Sequence, residues 1–218
     1  MRSCRTRLAL TCGVCAALAV SAGADEPWEV LFNGNDLSGW QGVMGPMDNW
    51  KVEDGVLTCT GQKGSKWIAT ERTFDDFELE LEFKVSPGGN SGVFLRVPLE
   101  RKPASAGMEI QIADDYAPLY VERGAIKHTG ALYDIAAPSR RATKKAGQWQ
   151  QMRILCAGRR LEVFINGQQV IDADLDGYPD MEATHPGLKR KEGHIGLQNH
   201  KSPIQFRNIR VRRVKPKS

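Results

Sequence analysis

Glu109 and Gln111 stand two residues apart in "MEIQIADD", and Gln198 and His200 repeat that spacing in "HIGLQNH". Residues two apart in an extended chain share a face. Each segment therefore turns polar groups to one side and apolar ones, Met108, Ile110 and Ile112 or Ile195 and Leu197, to the other. A third segment, "NSGVFLRV", sets Val93, Leu95 and Val97 against Gly92, Phe94 and Arg96. On one surface these groups would supply a base, amides for hydroxyls, a proton carrier and a fixed cation. Gly92 and Gly196 would let a ligand lie close to the backbone. Each residue also has a plainer reading. Arg96 is a solvated charge or the ion-pair partner of Glu109, His200 caps the turn that follows it, and His194 is structural.

The strand Phe77–Val85 shows what an ordinary solvated face looks like in this chain. Leu79, Leu81, Phe83 and Val85 form one side; Glu78, Glu80, Glu82 and Lys84 form the other. Glycine, aromatic and amide groups interleaved with ionisable ones make a different surface, one suited to a polar ligand.

Period-two alternation dominates the chain, with no long helical pattern. It predicts strands over Trp28–Phe32, Trp50–Val52, Val56–Thr60, Trp67–Thr70, Phe77–Val85, Gly92–Val97 and Met108–Ala113. Further strands follow over Gln150–Ala157, Leu161–Ile165, Gln168–Asp172, His194–Asn199 and Ile204–Val211. Turn signals at "EDG", "SPGGN", "AGRR" and "NG" separate them. Many short antiparallel strands imply one all-β domain, a sandwich or jelly roll, over residues 25–218. Three stretches resist strand assignment: Pro98–Gly107, Asp114–Gly130 and Asp174–Gly193. Loops of this length are commonly functional, and the middle one, with Tyr116, Tyr120 and His128, suits the rim of a site.

The N-terminus has a basic start at Arg2, Arg5 and Arg7, an apolar run from Leu8 to Val20, and Ala22-Gly23-Ala24. That is the pattern of an export signal cut after Ala24, too short for a good transmembrane helix. The protein is accordingly expected to be periplasmic or secreted. Removing residues 1–24 leaves 27 basic against 26 acidic residues, a net charge of +1 instead of +4. Nucleic acid is therefore not the expected partner, and the basic tail "RNIRVRRVKPKS" reads as a solvated strand end. Cys59 and Cys156 remain, either as one disulfide or as two buried thiols.

Other chemistries fit poorly. His194 and His200 are six residues apart, about 20 Å along an extended strand, and cannot share an ion without a sharp bend. "DADLDG" (Asp172–Gly177) matches half of a calcium loop, but the twelfth position is Ala183 and a strand precedes it. Beyond the expected export signal no GxSxG, HxxH or CxxC pattern is present. The five tryptophans outside the signal read as core, save that one lining a cleft would stack on a sugar face.

The segments "LFNGNDLSGW", "WKVEDGVL", "FELELEFK", "NSGVFLR", "GMEIQIADD", "TGALYDI", "GQWQQMRI", "VFINGQQV" and "GHIGLQNHKSPIQFRNIRV" run in order from Trp28 to Val211. Together they resemble the 3-keto-disaccharide hydrolase family. The resemblance implies a concanavalin A-like β-sandwich of two antiparallel sheets, and an enzyme cleaving glycosides oxidised to a ketone at C3. A C3 ketone acidifies the C2 proton, so a base can form an enolate that expels the C1 substituent. Water then adds back.

Carried onto this chain, the family-like positions are Asn90, Arg96, Glu109, Gln111, Asp114, Tyr133, Gln198 and His200. The roles this suggests are Glu109 or His200 as base, Arg96 at the ketone or enolate oxygen, and Gln111 and Gln198 on hydroxyls. Tyr133 or His128 would be the acid, and Asp114 would orient a histidine or help hold a divalent cation, whose need is left open. Two positions depart from the family pattern: Gln150 stands where Asn is frequent, and Lys201 where glycine is common. The competing reading is a non-catalytic carbohydrate-binding sandwich, since one fold serves many functions.

Overall fold

A computed structural model of the chain describes residues 26–215, so the export signal expected at residues 1–24 lies outside the described residues. The chain forms strands β1 (Glu29–Val30), β2 (Trp40–Val43), β3 (Trp50–Glu53), β4 (Val56–Cys59) and β5 (Trp67–Thr70). The long strands β6 (Phe77–Val85) and β7 (Asn90–Val97) follow. A one-turn helix α1 (Pro103–Ala106) precedes β8 (Met108–Ala113), and α2 (Pro118–Arg123) lies in the connection to β9 (Gln150–Ala157). The described chain closes with β10 (Arg160–Ile165), β11 (Gln168–Asp174), β12 (His194–Gln198) and β13 (Ile204–Arg213).

These strands make a β-sandwich of two antiparallel sheets. The larger runs β11-β10-β9-β6-β13-β4-β3 with β1 against β13, and the smaller runs β2-β5-β12-β7-β8. The period-two pattern explains the layering. Leu79, Leu81, Phe83 and Val85 of β6 meet Val93 and Leu95 of β7 and Ile110 and Ile112 of β8 in one core between the sheets. Full burial of such a side chain stabilises the fold by about 1.5–3 kcal/mol.

The charges on the larger sheet's outer face are mutually paired. Glu78, Glu80 and Glu82 of β6 lie opposite Arg212, Arg210 and Arg207 of β13 and form ion pairs with them. Directly opposed pairs of this kind are worth about 0.2–1 kcal/mol each. The basic tail is thus a central strand that neutralises its acidic neighbour. Trp28 and Trp149 lie under these guanidinium groups, Arg207 being 4.1 Å from the Trp149 ring centre and Arg210 4.6 Å from that of Trp28.

The strands appear where alternation places them, with ends moved by a residue or two. Trp40–Val43 is an additional strand that alternation passed over. Its sequence "WQGV" carries a glycine and no clean apolar face, and pairing with β5 makes it a strand. Cys59 and Cys156 are free and buried. They sit on β4 and β9 with β13 and β6 between them, Cys59 in line with Val85 at one end of β6 and Cys156 with Phe77 at the other, a separation of more than about 14 Å from strand spacing alone and too far for a disulfide. The calcium-like acids are otherwise engaged: Asp172 pairs with Arg160, Asp176 with Arg159, and Asp174 caps a short 3₁₀ turn. Among the described residues no helix is long and apolar enough to cross a membrane.

Candidate active site

Register across the smaller sheet assembles the site on its outer face. Glu109 of β8 stands opposite Phe94 of β7, which stands opposite Gly196 of β12. In the neighbouring row Gln111 is opposite Gly92, and Gln198 is opposite Trp67 of β5. Residues 130–133 add a short edge to β8, where Leu132 bridges Ile110 on the core side and the Tyr133 N–H donates to the Glu109 carbonyl at 2.9 Å. Tyr133 thereby joins Glu109 on the outer face.

Glu109 is 3 % exposed, and its Oε1 accepts a 3.0 Å hydrogen bond from Gln198 Nε2. The side chain crosses above Gly92, where a Cβ would lie 2.3 Å from Oε1. Burial pushes the carboxyl up to about 8, aided by the nearby Asp134 charge; the Gln198 hydrogen bond and the Lys127 charge oppose this. Lys127 bridges the site's edge. It is ion-paired with Asp134, and its Nζ lies 3.8 Å from the centre of the Tyr133 ring. Burial acts to lower its pKa, but hydrogen bonds to Asp134 and to the Tyr133 hydroxyl outweigh this and raise it.

Beside the Glu109–Gln198 pair lies a cavity of about 320 Å³. Met44, Pro103, Trp67 and Phe94 line it, the two rings packing edge to face with centroids 5.4 Å apart and both fully buried. Gln198 and Asn199, both half-buried, and the exposed Lys66, Arg101 and His200 complete the lining.

Glu109, Gln111 and Gln198 thus share one face as alternation suggested, Tyr133, which only the resemblance offered, joins them, and His200 is exposed and lines the cavity. Gln111 is buried, with Oε1 accepting from the Ile112 N–H at 3.2 Å. Asn90 is buried, and its side chain hydrogen-bonds the Tyr120 hydroxyl.

Arg96 requires a correction. It takes φ +47°, and the β7–β12 register shifts at a bulge there. The alternation therefore slips: Val97 joins Phe94 on the outer face, while Arg96 turns away from it. The guanidinium is 1 % exposed and donates to the carbonyls of Asp75, Gly158 and Arg190 and to the Asp76 carboxylate, at 2.8 to 3.2 Å. It ties strand ends together and does not face Glu109. Neither the solvated reading nor the cleft reading holds.

Two further residues hold loops. Asp114 accepts from the backbone N–H groups of Gly88 and Tyr116. His128 is buried with Nε2 3.0 Å from the Tyr120 carbonyl, so it anchors α2 from beneath. The glycines also serve differently than expected. The space over Gly92 is taken by Glu109 and that over Gly196 by the Trp67 indole, 2.8 Å from where a Cβ would stand. Among the described residues no three His, Cys, Asp or Glu side chains form a metal-binding group.

Lys127, Trp67 and Arg101 belong to this surface and were not singled out by sequence. Trp67 carried the signal, since it alternates with Ile68 and so faces away from the core. Lys127 and Arg101 sit in irregular segments whose approach to the sheet no local pattern encodes.

A sandwich of two antiparallel sheets in this order places the chain among the jelly-roll folds. Within that class the chain matches the 3-keto-alpha-glucoside-1,2-lyase-like domain over residues 27–212 and belongs to that family. It is 26 % identical to a 3-keto-disaccharide hydrolase of Bacteroides thetaiotaomicron, across 84 % of this chain and 77 % of that one. It is also similar to a solved Parabacteroides distasonis protein provisionally named a glycosyl hydrolase. That similarity has a TM-score of 0.77 and 31 % identity, over 87 % of this chain and all of the other. The β-glucanase of Bacillus licheniformis, at 12 % identity and a TM-score of 0.55, shares the fold alone, over 89 % of this chain and 100 % of that one.

Proposed function

We propose that this protein is a glycosidase acting on sugars oxidised at C3, and that it works by base-initiated elimination followed by hydration. The observation that carries the reading is Glu109: a buried carboxyl raised to about 8 and held by Gln198, which itself lines a cavity on the same face. An ordinary carboxylate is a weak base for a carbon acid. Raising the pKa by 3.5, from 4.5 to about 8, makes the ionised form a stronger proton acceptor, at the cost of a smaller ionised fraction at neutral pH.

In the reaction Glu109 removes the proton at C2, and the electron pair moves into the C2–C3 bond as the ketone oxygen becomes an enolate. Lys127 is the cation whose charge acts on Glu109, and it takes the role that Arg96 cannot fill, facing the developing oxyanion. The enolate collapses, the C1–O bond breaks, and the departing oxygen takes a proton from the Tyr133 hydroxyl. Water then adds across the C1–C2 double bond to complete net hydrolysis. Paired carboxylates of the ordinary glycosidase kind are not needed. Family membership and the names of the Bacteroides and Parabacteroides relatives support the substrate class.

The test is proton NMR of the protein with a 3-keto-glucoside in deuterated buffer, with Glu109→Gln alongside. Aglycone release with deuterium entering at C2 is expected for the wild type, and neither for the variant. Release at an undiminished rate in Glu109→Gln would overturn the assignment of the base. Shifts that saturate without turnover would make the protein a carbohydrate-binding module.

A further inference from the structure

A larger cavity, of about 820 Å³, lies over the outer face of the larger sheet, on the opposite side of the sandwich from Glu109. The proposed cleavage does not use it. Pairing register sets its lining in rows that cross the strands. Phe164 of β10 stands opposite Arg153 of β9, and Arg153 opposite Glu80 of β6. Glu80 in turn stands opposite Arg210 of β13, and Arg210 opposite Val30 of β1. Five adjacent strands span about 19 Å at ordinary spacing. In the next row Gln151 is opposite Glu82, whose Oε1 accepts from Asn208 Nδ2 at 2.8 Å. Every one of these side chains is accessible: Val30, Gln151, Asn208 and Arg210 are exposed, and Glu80, Glu82, Arg153 and Phe164 are half-buried.

The charges of the lining cancel. Arg210 pairs with Glu80, Glu82 with Arg207 of β13, and Arg153 with Glu78 of β6. These pairs fix planar groups without exhausting them. Both Arg210 hydrogen bonds go to Glu80 Oε2. Glu80 Oε1, Asn208 Oδ1 and the Gln151 side-chain amide have no hydrogen-bond partner among the described residues. Phe164 is the exception to the polar pattern. Leu161, Val163 and Ile165 take the core positions of β10, so the ring occupies an outward position of the kind that Glu162 fills with a charge. The Arg153 guanidinium lies 3.7 Å from its centre.

From this conjunction we infer that the cavity is a second, non-catalytic site that binds a neutral oligosaccharide laid across the strands. Sugar hydroxyls donate and accept at once, which suits fixed carboxylate, guanidinium and amide edges, and the apolar C–H face of a sugar packs on an aromatic ring. An anionic ligand would meet Glu80 and Glu82 and a cationic one Arg153 and Arg210, so the balance favours a ligand without charge. The volume lies within the range of ligand sites, and the length of the row calls for several sugar units instead of one. Naming a sugar rests on the carbohydrate class proposed above. It does not rest on the reaction, since an unoxidised glycan lacks the C3 ketone.

The test is a titration of ¹⁵N-labelled protein with cellohexaose, maltohexaose and laminarihexaose in turn, followed by NMR, with glucose and hexagalacturonate as controls. At least one neutral hexasaccharide should give saturable shifts at the amides of Gln151, Arg153, Phe164 and Asn208. Glucose should bind at least about tenfold more weakly. Phe164→Ser should weaken the hexasaccharide by about tenfold, while leaving turnover of a 3-keto-glucoside unchanged. Gln151→Ala, which removes only an exposed amide, repeats the test should Phe164→Ser fail to fold. Glu109→Gln should bind as the wild type does. Shifts confined to the Glu109 face, no saturable shift with any of the three, or full affinity in both groove variants would overturn the site. Tighter binding of hexagalacturonate would overturn the neutral assignment and point instead to the exposed Arg140, Arg141, Lys144 and Lys145. Hexasaccharide binding by a protein that leaves 3-keto-glucosides intact would retain this site and sink the proposed reaction.

Discussion

Replacing Glu109 by Gln should stabilise the protein while abolishing its proposed chemistry, and the gain should grow with pH. The folded carboxyl titrates near 8, against 4.5 for an unperturbed one. Between those values the native state holds a proton that the unfolded chain has released. The favourable contribution is therefore complete below pH 4.5 and is lost as pH rises through 8. Each pH unit in that window corresponds to about 1.36 kcal/mol. The loss is then about 3 kcal/mol at pH 7 and approaches about 5 kcal/mol above pH 8. Glutamine has the same shape and can still accept the Gln198 hydrogen bond, but it does not titrate. Urea unfolding of both proteins between pH 5 and pH 9 should give stabilities that nearly coincide at the acid end. They should separate in favour of the variant by a few kcal/mol at the alkaline end. Every other titrating group is common to the two proteins and cancels in the comparison. A gap that stays constant with pH, or one that favours the wild type at high pH, would refute the reasoning.

Three other substitutions probe the surrounding structure. Gly92→Ala would set a Cβ 2.3 Å from Glu109 Oε1. The Cβ would also lie 2.9 Å from Glu109 Cγ and Cδ, so the side chain must move as a whole and leave Gln198 while the sheet holds. Melting temperature should change little and activity should fall by about a hundredfold; an active variant would show that the pairing is dispensable. Arg96→Met should cost about 3–5 kcal/mol in denaturant unfolding, because Asp76 and three carbonyls lose their donor. A loss of activity in a variant of undiminished stability would instead return Arg96 to the chemistry. Lys201 holds φ +63°, so Lys201→Gly should raise stability by about 0.5–1 kcal/mol despite glycine's greater freedom when unfolded. A destabilised variant would mean that this turn carries no strain.

Most of the sandwich was legible because alternation is a local property. Leu79, Leu81 and Phe83 declare a core face without reference to any partner strand, and Glu78, Glu80 and Glu82 declare the opposite one. Glu109, Gln111 and Gln198 were found in the same way, as polar groups backed by apolar neighbours. What alternation cannot supply is a neighbour. That Arg207, Arg210 and Arg212 neutralise the β6 glutamates depends on β13 lying beside β6, more than 120 residues later in the chain. Lys127 reaches Tyr133 and the Glu109 environment only because residues 130–133 fold back along β8.

Arg96 shows the second limit. Period two holds only while each residue stays extended, and one residue at φ +47° reverses the facing of everything after it. "NSGVFLRV" contains no glycine at the turning point and no other local mark of a bulge, so Val97 and Arg96 exchanged places unseen. The physical cause lies elsewhere in the chain: Asp76 and the carbonyls of Asp75, Gly158 and Arg190 surround a site that a guanidinium satisfies. The glycines misled for a related reason. A small residue opposite a large one signals close approach, but not what approaches. At Gly92 the approaching group is Glu109 and at Gly196 it is Trp67, so both glycines position the site's own side chains. The chain thus uses its missing Cβ atoms to bury a carboxyl and an indole on an outer face. That burial gives Glu109 the raised pKa on which the proposed chemistry depends.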